Sequence, residues 1–296
     1  MLVMNMILSI KNDYISLSVD THGAQMMNIQ SADGVEYLWQ GNPAYWKNRA
    51  PVLFPFIGRS TNNSYCYHGQ VYPIDRHGFA PTSEFDVLRL DKDAVLLELK
   101  SNDQTKKQYP FAFSFKIRYA LVKNNIQITY TVENLDDKTL SFGIGGHPGF
   151  NVPLVPGESF EDYKLIFGHP CKPDRIGFTE DVYLSGRDVL YPLENDVSLD
   201  LCHDLFDNDA IIFKNMDREV TLLSKKSGRG VRLAYPDMQY LGIWHMPKTD
   251  APYVCVEPWS SLPSRQDIVE EISCKSDMIH LTAGRTYETI WSITVL

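Results

Sequence analysis

Four short stretches of the 296-residue chain set polar side chains beside glycine and proline. They are Pro55-Phe56-Ile57-Gly58-Arg59, Asp75-Arg76-His77-Gly78-Phe79, Gly145-Gly146-His147-Pro148-Gly149-Phe150-Asn151 and Cys255-Val256-Glu257-Pro258-Trp259. Imidazole and carboxylate groups are the side chains best suited to moving protons, and a guanidinium grips oxygen atoms. Glycine lets the backbone approach a ligand closely, and proline fixes the chain beside the polar residue. Loops of this kind on a rigid scaffold are where functional residues concentrate. Taken singly, each candidate also has a structural reading. His147 and His77 could be turn histidines, Glu257 a strand-end carboxylate bonded to backbone, and Arg59 half of a surface ion pair. The stretches lie far apart in sequence, so spacing alone does not join them into one site.

The elements that must position these loops read as strands. Ile15, Leu17 and Val19 alternate with polar residues before Thr21-His22-Gly23, and Asp33-Gly34 divides two further candidate strands as a hairpin turn would. Phe113-to-Leu121 alternation, the turn Lys123-Asn124-Asn125 and the Ile126, Ile128, Tyr130, Val132 series make the clearest hairpin. Val220 and Leu222 face Val231 and Leu233 across Ser227-Gly228-Arg229-Gly230, and Tyr287, Thr289, Trp291, Ile293 and Val295 repeat the period at the C-terminus. Helical periodicity is confined to residues 267–272 in SRQDIVEEI, with Ser264 as candidate N-cap. Many strands at short spacing imply an all-β sandwich or barrel. No linker, charge block or repeat divides the chain, so residues 1–296 are expected to form one domain.

Composition narrows the function classes. A net charge of −9 and the lack of any Lys/Arg run argue against nucleic acid as a partner. The apolar N-terminal run MLVMNMILSI lacks a leading positive charge and a small-residue cleavage site, and it is too short to span a bilayer; it reads as a core strand rather than a leader or membrane anchor. Five scattered cysteines without CxxC spacing argue against a disulfide framework or zinc module and fit a reducing cytoplasm. The 16 Tyr, 14 Phe and 5 Trp suit both strands and the stacking of sugar rings.

The runs APVLFPFIGR at 50–59, RHGFA at 76–80, GGHPGFNVP at 145–153 and YVCVEPW at 253–259 resemble the aldose 1-epimerase (galactose mutarotase) family, and its LacX-like branch in particular. All four occur in the family's order, over nearly the whole chain. The resemblance implies a large antiparallel β-sandwich of the supersandwich kind. It also implies an isomerase that interconverts the α and β anomers of a free hexose without metal or other cofactor. A base removes the O1 proton, an acid protonates the ring oxygen O5, and the ring opens, rotates and recloses. By resemblance Glu257 is the base and His147 the acid, the latter protonated at neutral pH. His77 then bonds near the ring oxygen, while Arg59 and Gln239 contact sugar hydroxyls. Asp209 is assigned to the same grip, in competition with Asp204 and Asp207.

Two departures bear on the substrate. Gly149 replaces an aromatic residue of the better-known galactose mutarotases, which implies a reshaped pocket. Pro81 stands where related sequences often carry arginine, so a second cationic group for a sugar phosphate is not evident. Phe150, Trp244 and Trp259 are candidates for the pocket wall or for plain core. Two other readings remain: a non-catalytic sugar-binding protein on the same sandwich, and a cupin-like metal enzyme with His77, His147 and Glu257 as ligands. The first need not keep both His147 and Glu257; the second lacks the local HxH spacing of compact metal sites. The expected partner is a small aldose, with the protein a monomer or homodimer.

Overall fold

A computed structural model of the chain describes residues 6–296. Where apolar and polar residues alternate, strands form. Phe113–Val122 and Asn125–Asn134 make the expected hairpin, with Val122 opposite Asn125 and Lys123 in the left-handed conformation (φ 55°). Glu219–Ser224 pairs with Gly230–Ala234, and Ile15–Asp20 buries every second residue. Asp33-Gly34 does turn the chain, but the returning segment makes only the single bridge from Gln30 to Glu36. The Glu36 carboxylate itself accepts the Ile29 and Leu38 N–H groups, occupying positions a second strand would use. Of the apolar N-terminal run, residues 1–5 lie outside the described residues, and Ile7–Lys11 is a strand with Leu8 and Ile10 buried.

Two sheets dominate, and their ladders are antiparallel. The nine-stranded sheet runs Ser198–Asp200, Tyr163–Phe167, Glu219–Ser224, Gly230–Ala234, Thr286–Val295, Asn125–Asn134, Phe113–Val122, Ala94–Lys100, Asp86–Leu90. The eight-stranded sheet runs Val189–Leu190, Asp174–Arg175, Ile211–Lys214, Tyr240–Trp244, Tyr253–Trp259, Gly145–Gly146, Val52–Leu53, with Gly149–Asn151 also paired to Tyr253–Trp259. The principal core draws side chains from Leu8 to Val295. Phe54, just past Val52–Leu53, stacks on Phe115 of the larger sheet at 4.6 Å. Burying each such side chain contributes roughly 1.5–3 kcal/mol. Among the described residues no helix is long and apolar enough to cross a membrane.

The helix expected at residues 267–272 is absent. The Arg265 guanidinium donates two hydrogen bonds of 2.9 and 2.8 Å to the Glu270 carboxylate and the Arg265 backbone N–H a third of 3.1 Å, and Asp267 is left-handed (φ 61°). Cys66 exchanges backbone bonds with Glu270 and Ile272, which takes the groups a helix would need. Ser264 is no cap either: its N–H bonds the Arg59 carbonyl, so this segment anchors the Arg59 loop.

The Tyr253–Trp259 strand is buried at all seven positions, and its alternation decides where the site lies. Val254 and Val256 enter the principal core, whereas Tyr253 and Cys255 join one satellite cluster and Trp259 another. Glu257 shares the second face, because side chains two apart in a strand point the same way. A further lock joins two of the candidate loops. Phe54 forms a parallel bridge to Gly78, the Phe54 N–H bonds the His77 carbonyl (3.3 Å), and the His77 N–H bonds the Gly58 carbonyl (3.0 Å). Gly78 is left-handed (φ 76°), and a Cβ there would meet the Phe54 carbonyl oxygen at 2.3 Å. Left-handed strain and this backbone clash together should make Gly78→Ala cost about 2 kcal/mol or more in urea unfolding. A loss under about 0.5 kcal/mol, the size of an ordinary surface change, would contradict the lock.

Candidate active site

Gly145–Gly146 is wedged between Val52–Leu53 and the Tyr253–Trp259 strand. A Cβ on Gly146 would meet Trp291 Cζ2 at 2.6 Å, so glycine alone lets the backbone lie this close to the core. The loop that follows is held from both sides. His147 N–H bonds the Pro51 carbonyl (3.0 Å), Gly149 N–H bonds that of Arg49 (2.8 Å), and Val256 N–H bonds that of Pro148 (3.1 Å). This delivers the His147 imidazole to Glu257, with Nε2 3.2 Å from Oε2. The two atoms are close without the alignment of a hydrogen bond, and Glu257 Oε2 and His147 Nδ1 have no hydrogen-bond partner among the described residues.

Burial pushes the Glu257 carboxyl well above the usual carboxylate range, and the Asp209 charge adds to the push. Burial also drives the His147 imidazole down to about 3, with the Arg76 charge acting in the same direction. Both shifts run toward the uncharged forms. For His147 this direction runs against the protonated form that the resemblance implies. Taking both groups out of water penalises the ion pair more than their attraction compensates.

The other sequence candidates distribute around this pair. His77, half-buried, lies 5.5 Å from His147 between ring centroids and 6.4 Å from the Trp259 ring. Its Nδ1 accepts the Gly58 N–H at 3.1 Å, so the neutral ring carries its proton on Nε2. Burial and the charges of His147 and Arg76 hold its pKa well below the usual histidine value. Arg59 donates to the Asp181 carbonyl at 3.2 Å. Asp209 is close enough to act on both Glu257 and Arg76, while Asp207 is exposed and acts on His245, and Asp204 is exposed. Gln239 is not drawn into the cluster: it is exposed, and its side-chain and backbone oxygens accept from Arg218 at 3.1 and 3.0 Å. Trp244 packs edge-on to His147 at 5.9 Å and Trp259 is buried nearby, whereas Phe150 belongs to the principal core.

Two residues of this site escape sequence reasoning. Arg76, inside the RHGFA block, is a second cation: desolvation lowers its pKa, the charge of Arg59 adds to this, and Asp209 opposes the shift. The Pro81 departure had left a second cation near Arg59 without an evident candidate, and the position of Arg76 beside His77 was the available signal. Trp46 stacks on His147 at 4.9 Å and 26°, from a loop with no motif to mark it. A Cβ on Gly149 would meet Trp46 Cζ3 at 3.1 Å and Trp39 Cβ at 3.2 Å. The aromatic surface missing at position 149 is thus supplied from elsewhere in the chain. Among the described residues, the one trio of His, Cys, Asp or Glu donors close enough to share an ion is His147, Cys255 and Glu257; His77 stands outside it.

The family model described as aldose 1-epimerase matches residues 6–271. The chain belongs to the aldose 1-epimerase family. Protein LacX of Lactococcus lactis subsp. lactis, in its plasmid and chromosomal forms, is 35% identical over 300 residues, covering 98% of this chain and 100% of LacX. A galactose mutarotase related enzyme from Lactobacillus acidophilus superposes with a TM-score of 0.93 at 36% identity, over 98% of this chain and 97% of its own. A galactose mutarotase-like protein from Lactobacillus casei gives 0.92 at 30% identity, over 98% and 100%. The all-β antiparallel architecture is that of galactose mutarotase-like proteins. In this member of the aldose 1-epimerase family, the Gly58 contact requires His77 to remain neutral and protonated on Nε2 as pH falls through the ordinary histidine value of 6.5. Nitrogen-15 spectra of the imidazoles check this, and a His77 titration midpoint near 6.5 would contradict it.

Proposed function

We propose that the protein is an aldose 1-epimerase in activity as well as in family, acting on a free hexose, and that residues 1–296 work as one domain. The observation that carries this reading is the 3.2 Å approach of His147 and Glu257 in a buried site. O1 and O5 are both bonded to C1 of a pyranose, so two proton-transfer groups this close can serve both oxygens of one sugar. Glu257 takes the O1 proton and His147 supplies one to O5 as the C1–O5 bond opens. Reclosure on the other face of the aldehyde gives the other anomer, with no change of oxidation state.

Bound sugar hydroxyls take the place of the hydrogen-bond partners that Glu257 Oε2 and His147 Nδ1 lack. That polar contact lowers the cost of charge, and the shared proton passes from Glu257 to His147, arming the pair as carboxylate and imidazolium. The Nε2–H of His77 is a neutral donor suited to the ring oxygen, and Arg59 and Asp209 grip hydroxyls. Trp46, Trp244 and Trp259 offer ring faces to the apolar side of the sugar. The nearness of Arg76 to Arg59 gives a reason to include phosphorylated aldoses among the substrates tested.

Polarimetry or NMR anomerisation across free and 6-phosphorylated aldoses is the test. Glu257→Gln keeps the side-chain shape and removes the base, so kcat should fall by ~10²-fold or more with circular dichroism unchanged. Arg59→Ala should raise KM more than it lowers kcat. Near-native turnover by Glu257→Gln would overturn the mechanism. If the wild type accelerated no aldose, the non-catalytic sugar-binding reading would replace this one.

A further inference from the structure

Cys255 has no part in the acid–base reading, yet its thiol stands beside the pair. Cys255 and Glu257 are two apart on one strand and share its outward face. Gly149, in register with Cys255, ends the loop that carries His147. The three residues are 9%, 0% and 2% exposed, and their donor atoms lie within 4.8 Å of one another. One of the proposed donor atoms, Glu257 Oε2, is buried without a hydrogen-bond partner among the described residues. A tetrahedral zinc site with metal–nitrogen and metal–oxygen bonds of 2.0–2.1 Å places those two ligands about 3.3 Å apart. His147 Nε2 and Glu257 Oε2 are already 3.2 Å apart.

We propose that His147, Cys255 and Glu257 form a binding site for a thiophilic divalent cation of the zinc class, and that its binding shuts the acid–base pair off. Nitrogen, sulfur and oxygen donors suit zinc, whereas magnesium and calcium demand six or more oxygen ligands. On binding, the Cys255 S–H bond breaks, its proton leaves to solvent and a sulfur–metal bond forms without change of oxidation state. Glu257 gives up its proton to solvent in the same way. A fourth position stays open to water. The metal then holds the lone pairs that proton transfer needs, and this inhibitory half rests on the function proposed above; the binding half does not.

Cobalt(II), titrated into the full-length, chelator-treated protein, is the probe. The expected result is uptake of one equivalent, with visible bands of a four-coordinate ion and a near-ultraviolet thiolate charge-transfer band. Zinc should abolish both. Cys255→Ser should lose the charge-transfer band, keep its aldose anomerisation and need at least tenfold more zinc for inhibition. If Cys255→Ser fails to fold, Glu257→Gln should retain the thiolate band but weaken uptake at least tenfold. A thiolate band that survives in Cys255→Ser, no one-equivalent uptake by the wild type, or unchanged uptake by Glu257→Gln overturns the site. Full anomerisation by the zinc-loaded wild type overturns the shut-off. The spectra are read without any aldose, so failure of the metal site and failure of the epimerase reading give different results.

Discussion

A carboxyl group buried in the middle of a sheet must find a proton, a cation or hydrogen-bond donors, because an isolated charge there costs many kcal/mol. Glu257 is 2% exposed, and the nearest titratable partner is His147 at 3.2 Å. Glu257 Oε2 and His147 Nδ1 have no hydrogen-bond partner among the described residues. Burial therefore pushes both groups toward their uncharged forms. Removing either partner leaves the other buried without it, which is why the proposed mechanism treats the two residues as one unit.

Much of the surrounding structure serves to keep this unit in place. Strand alternation turns Cys255, Glu257 and Trp259 away from the principal core and toward the loops. Gly146 lets the His147 loop press against Trp291, and Gly78 lets the His77 loop press against Phe54. Trp46 and Trp244 cover the imidazole, stacking on it and packing edge-on to it. Their cover adds to the burial that shifts both groups toward uncharged forms. The same burial would strengthen any bond from Cys255, His147 and Glu257 to a soft cation, so the proposed proton transfer and the proposed metal site draw on the same features.

The strands were legible in the sequence because period-two alternation is a local signal, and the hairpins at residues 123–125 and 227–230 stand where turn chemistry puts them. The expected helix at 267–272 shows the limit of that signal: its helical spacing was overridden by the Arg265–Glu270 pair and by backbone bonds to Cys66. His147, Glu257 and His77 could be named from their Gly- and Pro-framed motifs, and they do converge. Gln239 matched a motif position, but its carboxamide is turned to Arg218. Trp46 was invisible, since only the folded chain brings that loop over His147. The direction of the pKa shifts was equally hidden, because burial, their main cause, is a property of the fold.

The central claim is that His147 and Glu257 act as one proton-transferring unit. A double-mutant cycle of anomerisation rates for the wild type, Glu257→Gln, His147→Asn and the double variant tests it most directly. If the pair is one unit, the double variant should be no more than a few-fold slower than the worse single variant, because the first substitution already disables both partners. Losses that simply multiply would show two groups acting independently and would contradict the account.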